Sequence, residues 1–180
     1  MNRNGNRLMA LLALVVFILD QSAKLLVLGH LGLSKERVVI PGFFKFVHWE
    51  NTGAAWSLFR DRNDLLAAVS GLALIGLFFW RRHFYVHTAL GRLSLGLIFG
   101  GISGNLFDRL HYHQVIDFLR FYILRHGGEE IGFPAFNIAD SAICIGVGLL
   151  ILVSWQHEED AGQTLAERGP ALPEAPRPGP

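Results

Sequence analysis

Four aspartates stand within or beside long apolar stretches of this chain: Asp20, Asp108, Asp117 and Asp140. Ionisable groups in such places are costly and face a bundle interior or a water-filled cavity, so they mark function by default. Two carboxylates held close share a proton, because like-charge repulsion and low dielectric raise one of the two pKa values. The ionised member can draw a proton from water as that water attacks a peptide carbonyl. The protonated member can hydrogen-bond the carbonyl oxygen and later help to protonate the leaving amine. Asp117 and Asp140 suit this chemistry best, since each lies in an apolar frame with no basic residue within two positions. Asp20 is one helical turn from Lys24 and Asp108 adjoins Arg109, cations expected to hold those two acids ionised.

Other chemistries find less support. There is no Gly-x-Ser-x-Gly elbow and no evident Ser-His-Asp or Cys-His arrangement, and the one cysteine, Cys144, lies well inside an apolar run. A single cysteine also rules out an intramolecular disulfide and a Cys-based zinc site. His111-x-His113 beside Asp108 could be imagined as a metal site, yet without an HExxH helix two surface histidines are the plainer reading. A phosphate-gripping glycine loop is missing. With a net charge of +1 and no arginine-rich stripe, the chain has no basic field for nucleic acid.

These acids need elements to position them. Of 180 residues, 51% are hydrophobic and only 17% charged, with a mean hydropathy of +0.35; a soluble domain is roughly 25% charged. The deficit falls in four apolar stretches near the ~20 residues that a membrane-spanning helix needs. They cover about 8–28, 65–80, 93–110 and 138–155. The first, preceded by Arg3 and Arg7, also has the look of a secretory signal peptide. Asp20 and Lys24 follow its apolar core at once and Gln21 stands where a small residue is wanted, so an uncleaved helix is expected. Between the first two spans, Val38-Val39-Ile40 meets a Pro41-Gly42 turn, and Phe44 to Trp49 partly alternates. This reads as a small extramembrane β element near the lipid surface. Residues 156–180, rich in Pro, Gly, Ala and Glu, are expected to be a disordered cytoplasmic tail on a single domain of residues 1–155. The fold class is therefore an all-α membrane protein of four transmembrane helices with a small β element.

Arg81, Arg82 and Arg92 in the short middle loop favour both termini on the cytoplasmic side. Residues 29–62 and 111–136, with the helix ends beside them, then share the opposite face, and nearly all the unusual polar residues fall there. Several have plainer roles open to them. Asp20 and Lys24 could be a structural i,i+4 ion pair or substrate support. Asp108 and Arg109, pointing different ways, could each tie the end of the third helix to a separate partner. Asn51 and Asn137 could be turn and helix-cap residues. Gly96, Gly100 and Gly104 recur at the spacing of close helix packing. Trp49, Trp56, Trp80 and Trp155 read as interfacial anchors, and Cys144 as a small buried hydrophobe. Asp117 and Asp140 could also serve a proton or ion pathway in a small transporter. Their clustering at one face, and the lack of an internal repeat, weigh against it.

Four ordered blocks carry a resemblance to the bacterial lipoprotein signal peptidase (signal peptidase II) family. They are Asp20-Gln21-x-x-Lys24, then Asn51-Thr52-Gly53-Ala54-Ala55-Trp56-Ser57, then Gly101-x-x-Gly104-Asn105-x-x-Asp108-Arg109 with Val115-Ile116-Asp117-Phe118, and Phe136-Asn137-x-Ala139-Asp140-Ser141. Together they cover nearly all of residues 8–155. The resemblance implies a membrane aspartyl endopeptidase of the bacterial inner membrane, removing signal peptides from diacylglyceryl-modified prolipoproteins just before the lipidated cysteine. It makes Asp117 and Asp140 the catalytic dyad. It gives Asp20, Lys24, Asn51, Gly53, Asn105, Asp108, Arg109, Asn137 and Ala139 supporting or substrate-binding places. It further implies a periplasm-facing site with a β cradle formed partly by residues 38–49, and a loop over the site. No metal or organic cofactor is implied. The partners would be lipidated precursors and membrane lipid, with a monomer as the working unit. The run Arg125-His126-Gly127-Gly128-Glu129-Glu130 is longer and more polar than the compact loop expected there.

Overall fold

The computed structural model describes residues 3–53, 59–84 and 88–168. Helix α1 (Arg3–His30) leads through strands β1 (Glu36–Ile40) and β2 (Phe44–Asn51) to α2 (Asn63–Trp80). A single 3-10 turn at Arg81–His83 precedes α3 (Ala89–His111), and β3 (Val115–Leu124), β4 (Glu130–Gly132) and α4 (Ile138–Arg168) complete the chain. Each α-helix contains a segment long and apolar enough to cross a bilayer: Gly5–His30, Asn63–Trp80, Ala89–His111 and Ile138–Gln156. All four expected spans are there, somewhat longer than read. Helix α4 continues to Arg168, so the tail expected from residue 156 begins as helix; residues 169–180 lie outside the described residues. So do Ala54, Ala55, Trp56 and Ser57 of the second block.

Helix α3 is the spine. Of its apolar window 44% is buried, against 6% for α2, and it packs on α1, α2 and α4. Its glycines set the spacing. A Cβ at Gly96 would meet Leu12 at 2.8 Å, one at Gly100 would meet the Ala13 carbonyl and Val16 at 2.7 Å, and one at Gly104 would meet the Asp20 carboxylate at 2.6 Å. Gly101, on the other side, faces the Ala139 carbonyl and Ile143 of α4. The expected small-residue packing is therefore used twice, against α1 and against α4. Gly101→Ala is expected to cost about 1–3 kcal/mol, because the added methyl meets backbone that cannot swing aside. Thermal unfolding in detergent should show the drop, and an unchanged midpoint would contradict this packing.

The small β element expected beside the four helices is present and more extensive than read. Outside the helices lies a four-stranded antiparallel sheet in the order β1-β2-β3-β4. Residues 38–49 form its first hairpin much as expected, but much of the stretch between Asp117 and Asp140, where a loop over the site was expected, is strand: β3 begins at Val115 and runs through Asp117, and β4 follows it. Val115, Ile116, Asp117 and Phe118 are all buried. A strand covered on both faces shows no alternation of apolar and polar residues, which hid it from pattern reading. The polar run Arg125–Glu130 is largely the turn of the second hairpin. Gly127 (φ 105°) and Gly128 (φ 84°) take the left-handed conformations that glycine tolerates, and the Arg125 and Glu129 backbones close the turn at 2.9 Å.

Candidate active site

The sheet and the helix ends bring the two unpaired acids to one cavity. β2 and β3 pair with Trp49 opposite Asp117 and Asn51 opposite Val115, which sets Asn51 diagonally across from Asp117 on the same face. Asn51 Nδ2 donates to Asp117 Oδ2 at 2.9 Å, and its Oδ1 is fixed by the Gly53 N–H at 2.9 Å. The other oxygen, Asp117 Oδ1, accepts from Asn137 Nδ2 at 2.9 Å. Asp140 is held by helix capping. Asn137 Oδ1 accepts from the Asp140 N–H at 2.8 Å, and Asp140 Oδ2 accepts from the Asn137 N–H at 3.2 Å, a reciprocal box at the start of α4. Asn105 Nδ2 on α3 donates to Asp140 Oδ1 at 2.7 Å. Both acids thus receive neutral amide donors, and among the described residues neither forms a salt bridge. The cap role foreseen for Asn137 is real, and the same side chain also reaches Asp117.

Behind them the charges are neutralised. Lys24 Nζ lies 2.7 Å from Asp20 and 2.7 Å from Asp108, with all three side chains essentially fully buried. The same ammonium donates to Asn105 Oδ1 at 3.1 Å, orienting the amide that serves Asp140. Asp20 accepts from the Ala139 N–H at 2.9 Å, an anion at the N-terminus of α4. Asp108 accepts from Gln21 at 2.8 Å and from the Ile116 N–H at 3.4 Å, tying the end of α3 to the strand that bears Asp117. Asp108 therefore takes Lys24 as its ion-pair partner. Arg109, the neighbour expected to hold it, points elsewhere and donates from Nη2 to the Gly53 carbonyl at 2.9 Å. Successive helix residues are about 100° apart around the axis, so sequence neighbours seldom share a face.

The electrostatics of Asp117 follow from this setting. Burial is the main influence and the nearby Asp140 charge adds to it, against the Asn51 and Asn137 hydrogen bonds. Together they push the Asp117 carboxyl up to about 7. A carboxylic acid that keeps its proton near neutrality, beside a second carboxylate, can both hydrogen-bond a carbonyl and share in water activation.

The chain matches the family described as Signal peptidase (SPase) II over residues 12–156. The chain belongs to the signal peptidase II family. Membership makes it a peptidase, and with its four apolar helices a multi-pass bacterial membrane protein. It is 40% identical to the lipoprotein signal peptidase of Symbiobacterium thermophilum, covering 78% of this chain and 90% of that one. To the lipoprotein signal peptidase of Neisseria gonorrhoeae it is 38% identical, over 85% and 92%. A solved bacterial membrane enzyme superposes with a TM-score of 0.73 at 28% identity, covering 84% of this chain and 90% of that one.

All the residues singled out for the site stand in this one network or on the cavity it borders. Some cavity residues were not foreseen. Phe133, Pro134, Ala135 and Phe136 form one wall, whereas the run 125–130, expected over the site, does not line it. Trp49, read as a lipid anchor, borders the cavity as well. Cys144 is exposed on α4 and borders the cavity too, not buried as expected. In a membrane span an apolar residue can face lipid, protein or a cavity, and residue type does not distinguish them. Gln21 had its signal in the first block, where it follows Asp20.

Proposed function

We propose that this chain is the aspartyl endopeptidase that removes signal peptides from diacylglyceryl-modified prolipoproteins. It would cut before the lipidated cysteine with a water activated between Asp117 and Asp140. One observation carries the reading: the two acids border the same cavity and, among the described residues, are held by neutral amides, while the other two are neutralised by Lys24. The ionised member of the pair takes the water proton as the water attacks the scissile carbonyl. The protonated member donates a hydrogen bond to that oxygen, and a proton then passes to the departing amine. Arg109 and Asn51 hold the Gly53 backbone at the cavity rim, where substrate backbone would lie. Both termini are cytoplasmic in this reading and the cavity is periplasmic, where lipidated precursors display their cleavage sites.

The test is cleavage in proteoliposomes of a precursor with and without the diacylglyceryl group. The lipidated form should yield one new N-terminus at the modified cysteine, and the bare form should stay intact. The rate should fall as pH rises past about 7, since that is where Asp117 gives up its proton. The linked stability has the same sign. The folded carboxyl holds a proton that the unfolded one releases near pH ~3.9, so Asp117's share of stability declines with rising pH up to about 7. Proton flux through the vesicles without any cleavage would instead favour a transporter.

A further inference from the structure

Outside the acid network, the sheet buries a second cation. The Lys45 side chain on β2 is only 1% exposed, and its ammonium lies 2.7 Å from Glu36 on β1 and 2.7 Å from Glu130 on β4. It also sits 4.6 Å over the Tyr122 ring on β3. One side chain therefore reaches all four strands. Arg120 on β3 completes the cluster, 3.6 Å from Glu130 and with its guanidinium 4.5 Å over the Trp49 ring. Burial alone would pull the lysine pKa down, but the two carboxylates outweigh it and hold it above the usual value, so the group stays charged.

What does such a tie hold? β4 is three residues long and, among the described residues, lies at the sheet edge and pairs with β3 alone. The chain leaves it directly into Phe133–Phe136, one wall of the cavity, and then reaches Asn137, which touches both acids. Trp49, which also lines the cavity, is stacked on Arg120. The Lys45 cluster thus connects with two parts of the cavity lining, the 133–136 segment by way of Glu130 on β4 and Trp49 by way of Arg120. Without its ammonium, the Glu36 and Glu130 carboxylates would keep like charge across the sheet with the more distant Arg120 alone to offset them, and β4, a three-residue edge strand, is the element least able to resist.

We propose that Lys45 is a positioning residue for substrate: through Glu130 and Arg120 it holds these two parts of the cavity lining at the spacing that grips the precursor. This rests on the peptidase reading, although the clamp itself can be tested without it. Asp117 and Asp140 take their hydrogen bonds from Asn51, Asn105 and Asn137, none of which touches Lys45, so binding and chemistry should separate.

Lys45→Met is expected to raise KM by on the order of tenfold, within what small misplacements cost, while leaving kcat within about twofold. Lys45→Arg, which keeps the charge, should restore most of the loss. Glu130→Gln cuts only the β4 arm and should change KM in the same direction, which covers the case that Lys45→Met does not accumulate. Adding Glu130→Gln to Lys45→Met removes the repulsion and should partly recover KM. Independently of activity, amide exchange at residues 130–136 of the full chain in nanodiscs should quicken in Lys45→Met and return towards wild type in Lys45→Arg. Unchanged exchange there, or a fall in kcat without a rise in KM, would overturn the clamp. If the wild-type protein cuts no precursor, the peptidase reading fails and the exchange result still judges the clamp.

Discussion

Asp117→Asn and Asp140→Asn are each expected to lower precursor cleavage by roughly a hundredfold to ten-thousandfold, the range that a general acid or base contributes. The double variant should lose little more, because groups that act as one unit are not additive. Asparagine is the informative replacement. At position 140 its amide oxygen can still accept from the Asn137 N–H, so the box at the start of α4 survives, while its NH2 faces the donor amide of Asn105 at a small cost. At position 117 one oxygen becomes an NH2 facing a donor amide of Asn51 or Asn137, a loss of about 1 kcal/mol. That leaves the protein folded. Cleavage should be measured on equal amounts of membrane-inserted protein. Normal processing by either single variant would sink the dyad, and a double loss equal to the product of the single losses would mean that the two acids act separately.

The largest loss of stability is expected at Lys24. Lys24→Met fills similar space but leaves Asp20 and Asp108, both 0% exposed, facing each other without a cation. Breaking a buried pair by removing one partner costs about 3–5 kcal/mol, and here one lysine serves two acids. Asn105 also loses one of the two donors that orient its amide towards Asp140, keeping Asn137, so activity should fall with stability. The recovery experiment separates charge from packing. Adding Asp20→Asn and Asp108→Asn to Lys24→Met removes the uncompensated charges and should regain most of the unfolding midpoint in detergent. A Lys24→Met protein as stable as wild type would refute the ion-pair account.

Much of this site could be read before any coordinates, and the reason is the bilayer. Four apolar spans force their ends to alternate between two faces, so Asp20, Asn51, Asn105, Asp117 and Asn137 had to meet at one of them. The separation of the acids into paired and unpaired also came through, because local cations are visible in a linear chain. Partner identity did not. Asp108 sits next to Arg109 yet binds Lys24, because the helix turns its neighbours apart and the glycines of α3 draw α1 close. β3 was invisible for a different reason: burial on both faces erases the period of two. Lys45 was unreadable as a buried residue, since a lysine on a small extramembrane sheet is nearly always solvated, and its partners Glu36, Glu130 and Tyr122 lie on other strands.

The glycine contacts along α3 also bear on how the protein meets membranes of different thickness. A span that does not match the hydrocarbon layer adapts by tilting or by deforming the lipid around it. Helices α1, α3 and α4 approach closely at Gly96, Gly100, Gly101 and Gly104, with backbone meeting backbone at Gly100 and Gly101, so they tilt together as one body. The acids and amides that span these three helices then keep their spacing whatever the acyl-chain length. Helix α2, least buried of the four, is the one left free to take up the mismatch.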